Sequence, residues 1–306
     1  MVTLPVVLDT DIGTDVDDLL TLIMLAGEPS VDLVAVTTVY GDVVRRAQMA
    51  SHVLDLLGMR GVPVYPGKAE PMSGREVFWA GYEGDGVPGL ERRPVCPTSG
   101  VDHLLRAAQQ HHGELVVVAI GPLTNIAAAL EREPSWRHAV RDLIVMGGEF
   151  RQRVPEWNIR CDAEAARTVL ASGIRATFVG FELTSRLPFT RGTLECLCSV
   201  ETPLSVLVRQ QTLQQWSTFG DTDSHLHDPL AALALLEPEH FSFSSSGWRP
   251  VMTGEMLGAL EPANAEPEVL FATHADLGRA YSSIVRRISR TVAGNTSGPT
   301  NDSPRP

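Results

Sequence analysis

The chain has 306 residues, 43% hydrophobic and 20% charged, and a formal net charge of −12. That is enough apolar material for a large buried core, in the proportions of a globular protein. The acidic balance speaks against nucleic-acid binding, which needs a basic patch, and no apolar stretch is long enough to span a bilayer.

In chain order, the apolar run 6–8 reads as a buried strand. It leads into Asp9-Thr10-Asp11-Ile12-Gly13-Thr14-Asp15-Val16-Asp17-Asp18, ten residues with five carboxylates and no basic side chain. Leu19, Leu22, Ile23 and Ala26 follow at helical spacing, so the acids sit where a strand ends and a helix begins. Two carboxylates about 4 Å apart repel by roughly 4 kcal/mol at an effective dielectric of 20. Such a cluster therefore binds a cation or stays solvated. Asp15 and Asp18 are three apart and share a helix face, while Asp17 is expected to point elsewhere. Capping and first-turn placement account for one or two of these acids, not five.

Further buried strands are expected over 33–39, 115–120, 143–146 and 176–181, and helices over 45–57, 125–130, 163–170 and 204–216. The alternation predicts an α/β fold: a single domain with a mostly parallel central sheet flanked by helices, a Rossmann-like open sheet. Ligands on such sheets bind at the strands' carboxyl ends. The Gly- and Pro-rich stretch 67–97 reads as a lid or a surface excursion, and 187–223 as a second variable region. Residues 1–290 are expected to form the domain and 291–306 a disordered tail. Lys68 is the only lysine, and Cys96, Cys161, Cys196 and Cys198 show no metal-ligand spacing. Reduced thiols and the absence of a leader-like N-terminus suggest the cytoplasm.

Four later segments carry chemistry. Gly121-Pro122-Leu123-Thr124-Asn125 closes a strand, leaving the Ile120 carbonyl free for a cation and Thr124 or Asn125 to cap the next helix. Met146-Gly147-Gly148 allows close backbone approach, and Glu156-Trp157-Asn158 follows it. In His227-Asp228-Pro229, Pro at a first helical position makes Asp228 a candidate N-cap. Trp157, Trp216 and Phe219 either line a pocket or pack in the core.

In this order, the N-terminal acids and these four segments resemble the inosine–uridine preferring nucleoside hydrolases, from about Val6 to Ala280. The resemblance implies calcium-dependent cleavage of a ribonucleoside's N-glycosidic bond, releasing base and ribose for nucleoside salvage. It implies Asp11, Asp18, the Ile120 carbonyl and Asp228 as calcium ligands, with Asp15 a further candidate. It makes Asp11 the general base for a water attacking C1′. Asp17, Asp42, Glu156, Trp157, Asn158 and Tyr82 would contact substrate. His227, with a pKa near neutrality, would assist the leaving base, and His225 could assist or replace it. It also implies a homo-oligomer, dimer or tetramer, with a small-molecule substrate and no nucleic-acid or membrane partner. The sequence departs from the family pattern by inserting Asp15-Val16, by placing Asp42 where Asn is frequent, and by carrying Tyr82 in the mobile loop. Which of Asp15, Asp17 and Asp18 touches the metal stays open, as does base preference. Two other classes stay in view. One is a nucleoside- or calcium-binding protein without catalysis. The other is a magnesium-dependent phosphatase of the haloacid dehalogenase type using Asp9, although the later lysine of that class is missing.

Overall fold

The computed structural model describes residues 3–78 and 80–294. Its strands are β1 (Leu4–Thr10), β2 (Val31–Thr38), β3 (Val64–Pro66), β4 (Leu115–Ala119), β5 (Val140–Met146), β6 (Ala176–Val179), β7 (Pro188–Phe189), β8 (Ser224–His225), β9 (Phe241–Pro250), β10 (Leu260–Pro262) and β11 (Glu268–Ala275). The helices are α1 (Val16–Ala26), α2 (Val43–Leu56), α3 (Gly100–Gln110), α4 (Thr124–Arg132), α5 (Trp136–Ala139), α6 (Trp157–Cys161), α7 (Ala163–Ala171), α8 (Phe181–Thr184), α9 (Arg191–Leu197), α10 (Pro203–Phe219), α11 (His227–Leu236) and α12 (Leu277–Val292).

Nine strands form one sheet in the order β10-β9-β11-β6-β5-β4-β1-β2-β3. Pairing is parallel from β3 across to β11, and β9 and β10 add an antiparallel edge. The chain runs outward from β1 through β2 and β3, then returns to place β4 on the other side of β1. That reversal is a topological switch point, where crossovers leave on opposite faces and open a crevice beyond the strand ends. Asp9 pairs in register with Thr37 of β2 and Ala119 of β4, so the acid segment emerges at this crevice.

Side-chain alternation along β1 explains the layers. Val6 and Leu8 pack with α1, α2, α10, α11 and α12 on one face, while Val7 packs with α3, α4, α5 and α7 on the other. α1 is buried from Val16 to Leu25, including both its acids, because helices surround it. Burial all round matches its nearly continuous apolar sequence.

Two expected boundaries move. The strand expected over 176–181 stops at Val179, and Phe181 opens α8 instead. At the C-terminus, α12 runs through buried Thr291 and Val292, so the chain is helical where a tail was expected to begin; residues 295–306 of that tail lie outside the described residues. Among its described residues, the stretch 67–97 holds only a short 3-10 turn at Leu90–Arg92, yet it is pinned. Arg45 Nε donates to the Glu83 carbonyl (2.9 Å), and Gln211 and Gln214 of α10 donate to the Asp85 and Tyr82 carbonyls (both 3.2 Å). No helix among the described residues is long and apolar enough to cross a membrane.

Candidate active site

Two helix starts meet at the crevice. Asp17 and Asp18 occupy the first turn of α1, and Asp228 the first turn of α11. Helix N-termini favour negative charge, and the Asp228 N–H donates to Asp17 Oδ2 (3.3 Å). One carboxylate oxygen from each of Asp17, Asp18 and Asp228 lies within 4.8 Å of the others. Thr10 Oγ1 donates to Asp18 and itself accepts from Ile12 N–H, which ties the end of β1 to α1. Two expectations are corrected here. Asp17 does not point elsewhere; the turn between Gly13 and Val16 brings it into the group. Asp228 does not cap α11, whose N-cap is Leu226 without a side-chain cap, so its carboxylate is free to face the crevice.

Asp11 sits just past β1, with its carboxylate across the end of β4. A Cβ on Gly121 would lie 2.6 Å from Asp11 Oδ1, so only glycine allows this approach. Asp15 stands at the outer edge, exposed and held by Gln215 Nε2 (2.9 Å). The electrostatics are unfavourable without a cation. Burial, then repulsion from Asp15, pushes Asp17 up to about 8. Burial and neighbouring acids hold Asp18 and Asp228 well above the carboxylate range, and burial raises Asp11 against the opposing pull of Arg46.

Sequence reasoning missed Arg46. Although it carries a charge, it is only 2% exposed. Its Nε donates to the Tyr40 carbonyl (2.7 Å), and its Nη1 to the Ile12 carbonyl (3.1 Å), Thr14 Oγ1 (3.0 Å) and the Asp11 carbonyl. Its Nη2 lies 3.8 Å from Glu83 Oε1, a buried pair linking α2 to the 81–87 segment. Tyr40 takes φ +64° to present that carbonyl, a conformation that costs a non-glycine residue about 1–3 kcal/mol.

Asp9 lies beneath the site and is fully buried, its Oδ1 accepting from Thr37 Oγ1 and Asn125 Nδ2. Burial raises it to about 7. A side chain closed off in this way cannot act as a phosphatase nucleophile. Asn125 therefore braces strands: it also donates to the Thr38 carbonyl and accepts from Lys68 N–H. Thr124 Oγ1 donates to Asp162. Neither residue caps α4, contrary to expectation, since Leu123 is its N-cap.

Across the crevice, the Ile120 carbonyl accepts from Asn158 Nδ2 (2.9 Å), which also reaches the Met146 carbonyl (3.2 Å). A carbonyl has a second lone pair, so Ile120 still has one to offer. Glu156 caps α6: Oε1 accepts from Asn158 N–H, and Oε2 from Ile159 and Gly148 N–H. Glu156 and Asn158 are thus buried at the site and heavily engaged by the protein itself.

Aromatic groups form the rim. Trp157 is 51% exposed and meets Phe78 edge to face, with ring centroids 5.6 Å apart. Tyr82 packs edge to face on Phe219 and donates to the Thr14 carbonyl (2.7 Å). Trp216 is buried and belongs to the core. His227 stacks on Phe181 (5.7 Å), bonds Thr184 Oγ1 through Nδ1 (2.7 Å) and lies 5.4 Å from the His225 ring. Burial, then His225, lowers its pKa to about 4. The expected near-neutral pKa is therefore corrected: the ring is uncharged at neutral pH. Asp42 is exposed and caps α2 by accepting from Arg45 N–H, which accounts for it without a sugar.

Among the described residues, the cluster that could hold a metal consists of carboxylates alone, from opposite ends of the chain, and all-oxygen donors fit a hard divalent cation. The fold and this site define an α/β protein whose switch-point crevice gathers an acidic cluster that could hold a metal ion. Residues 6–287 match the family model described as inosine-uridine preferring nucleoside hydrolase. The chain is similar to a probable uridine nucleosidase 1 of Oryza sativa subsp. japonica, 32% identical over 255 residues and 78% of each protein. It is 29% identical to a uridine nucleosidase 1 of Arabidopsis thaliana over 82% of this chain and 80% of that protein. Among solved structures, a plant nucleoside hydrolase, the PpNRh1 enzyme, superposes with a TM-score of 0.83 at 26% identity, over 94% of this chain and 99% of that one. The chain belongs to the inosine–uridine preferring nucleoside hydrolase family, a family of metal-dependent hydrolases, and it is a nucleoside hydrolase acting on ribonucleosides.

Proposed function

We propose that the cation is calcium and that the substrate is a pyrimidine ribonucleoside of the uridine type. The observation that carries the cation is the convergence of Asp17, Asp18 and Asp228. The names of the relatives support the base: uridine nucleosidases in plants and a pyrimidine-specific ribonucleoside hydrolase in Escherichia coli O157:H7. Asp11, Asp18, Asp228 and the Ile120 carbonyl hold the ion, with Asp17 beside them able to take either the metal or a ribose hydroxyl. Bound there, calcium acts as a Lewis acid that lowers the pKa of a water.

Asp11 accepts the proton of the attacking water. Burial disfavours its charged form, an effect that positive charge in the site would offset. The water adds to C1′ opposite the base, as in inverting glycoside hydrolysis. Glu156 and Asn158 shape the sugar floor by fixing the carbonyls and amides at the ends of β4 and β5. Trp157, with Phe78, offers an exposed apolar face, and Tyr82 closes the opposite rim. His227, uncharged, offers a hydrogen bond to the departing base and not a full proton. Asp42 is left out of the sugar set. A homo-oligomer and a cytoplasmic location remain part of the reading, the second supported by four unpaired cysteines.

The test is a reducing-sugar assay on uridine, cytidine, inosine and guanosine with calcium or with excess chelator. The reading predicts ribose release from uridine that chelator abolishes and calcium restores. Release that persists without any divalent cation overturns the calcium reading, and release only from purines overturns the substrate.

A further inference from the structure

We propose that Thr184 is a positioning residue that, with Phe181, sets the His227 ring so that Nε2 carries the N–H offered to the leaving base. This rests on the leaving-base role given to His227 above.

α8 is a single turn, and its first and last residues both hold the imidazole. Residues three apart on a helix share a face. Phe181 lies on the flat side of the ring, with an interplanar angle of 16°. Thr184, fully buried, binds Nδ1. Among the described residues, Nδ1 is the only hydrogen-bond partner of Thr184 Oγ1. A buried hydroxyl proton without an acceptor is costly. The Thr184 hydroxyl therefore donates to Nδ1, which must then be the unprotonated nitrogen. The proton of the ring is left on Nε2, at the edge away from α8.

The unit is closed on both sides. Phe181 N–H donates to the Gly148 carbonyl (2.8 Å), which anchors α8 beside the loop capped by Glu156. Downstream, Leu226 N–H donates to the Leu187 carbonyl (2.9 Å), and β7 pairs with β8 through Pro188 and His225. His227 thus enters α11 from a ribbon already fastened to the end of α8. A two-sided clamp on face and edge leaves the imidazole little freedom to rotate or to change tautomer.

The chemistry needs that proton. When the C1′–N bond breaks, its electron pair stays on the base, whose charge a hydrogen bond from Nε2 stabilises. Water then protonates the free base, and the hydroxide left behind is neutralised by the proton that Asp11 took from the attacking water. A p-nitrophenyl riboside makes no such demand, because p-nitrophenolate is a stable leaving group.

The test compares uridine with p-nitrophenyl riboside in Thr184→Val, Thr184→Ser and His227→Ala, alongside the His227 ¹⁵N shifts of the calcium-loaded protein. The clamp predicts an Nε2–H ring in the wild type, and in Thr184→Val a mixture of tautomers. In Thr184→Val the kcat on uridine falls at least tenfold more than the kcat on p-nitrophenyl riboside, with KM little changed. Thr184→Ser keeps the hydroxyl and restores most of the uridine rate. Equal losses on both substrates in Thr184→Val mark a merely structural role and overturn the proposal, as does an Nδ1–H ring in the wild type. Equal losses in His227→Ala overturn the leaving-base role instead, while an Nε2–H ring in the wild type still upholds the clamp.

Discussion

Among the described residues, Arg46 is the one cation buried among the acids, and replacing it with Met removes it. Arg46 lies 3.8 Å from Glu83, and their side chains are 2% and 0% exposed. At that separation the attraction is about 4 kcal/mol at an effective dielectric of 20, offset by the desolvation of both groups. Taking away one partner strands the other, so Arg46→Met should destabilise by roughly 3–5 kcal/mol. The orphaned Glu83 keeps only weak compensation, from Thr14 Oγ1 (3.2 Å) and Gly81 N–H (3.0 Å). In Arg46→Met/Glu83→Leu the stranded charge disappears, and part of the loss should return. The remainder is the lost bonds to the Tyr40, Ile12 and Asp11 carbonyls and to Thr14 Oγ1, about 0.5–1 kcal/mol each. Equilibrium urea unfolding of the wild type, Arg46→Met, Glu83→Leu and the double variant, in chelator and at pH 7, measures the cycle. A loss below about 1 kcal/mol in Arg46→Met, or a double variant weaker than the single one, refutes the buried-pair argument.

Acid titration gives a second expectation. Asp9 and Asp17 are raised to about 7 and about 8 in the folded chain, against about 4 unfolded, so the native state binds more protons. Stability in chelator is therefore fullest below about pH 4 on this account and is lost as pH rises toward 8. Each group removes roughly 1.4 kcal/mol per pH unit within that window. Thermal melts should fall from pH 5 to 8 in chelator and flatten in calcium; a flat profile in chelator contradicts the buried-acid picture. Gly121→Ala puts a methyl 2.6 Å from Asp11 Oδ1, so kcat should drop at least tenfold while melting shifts little, and an unchanged kcat would clear Asp11 of a role in the rate. Asp42→Ala should cost about 1 kcal/mol of stability as a lost cap and leave KM for uridine within twofold; a tenfold rise in KM would return Asp42 to the sugar.

The parallel core was legible because strands buried on both faces read as unbroken apolar runs, and those of β1, β4 and β5 stand out as such. β9 was not, since Ser242 to Ser246 alternate on a half-exposed antiparallel edge with little apolar content. The acids of the site were legible as an excess of charge that capping could not absorb. Their partition was not: whether Asp17 or Asp15 joins Asp18 depends on the backbone turn at Gly13, with φ +111°, and nothing local specifies it. Arg46 and Thr184 escaped notice because each acts on residues far along the chain. Arg46 meets Glu83 and Thr184 meets His227, contacts fixed only when the sheet and the ribbon close. The pKa of His227 was misjudged for the same reason, since its burial is a tertiary property.

The central claim is that acids from the two ends of the chain share one calcium ion. Calorimetric titration of calcium into chelator-treated wild type, Asp18→Asn and Asp228→Asn tests it most directly. The account predicts one site per chain in the wild type and an affinity lowered by more than about 100-fold in each variant, beyond the usual effect of losing a partner that only supports a ligand. Undiminished affinity in both variants, or no calcium binding by the wild type, contradicts it.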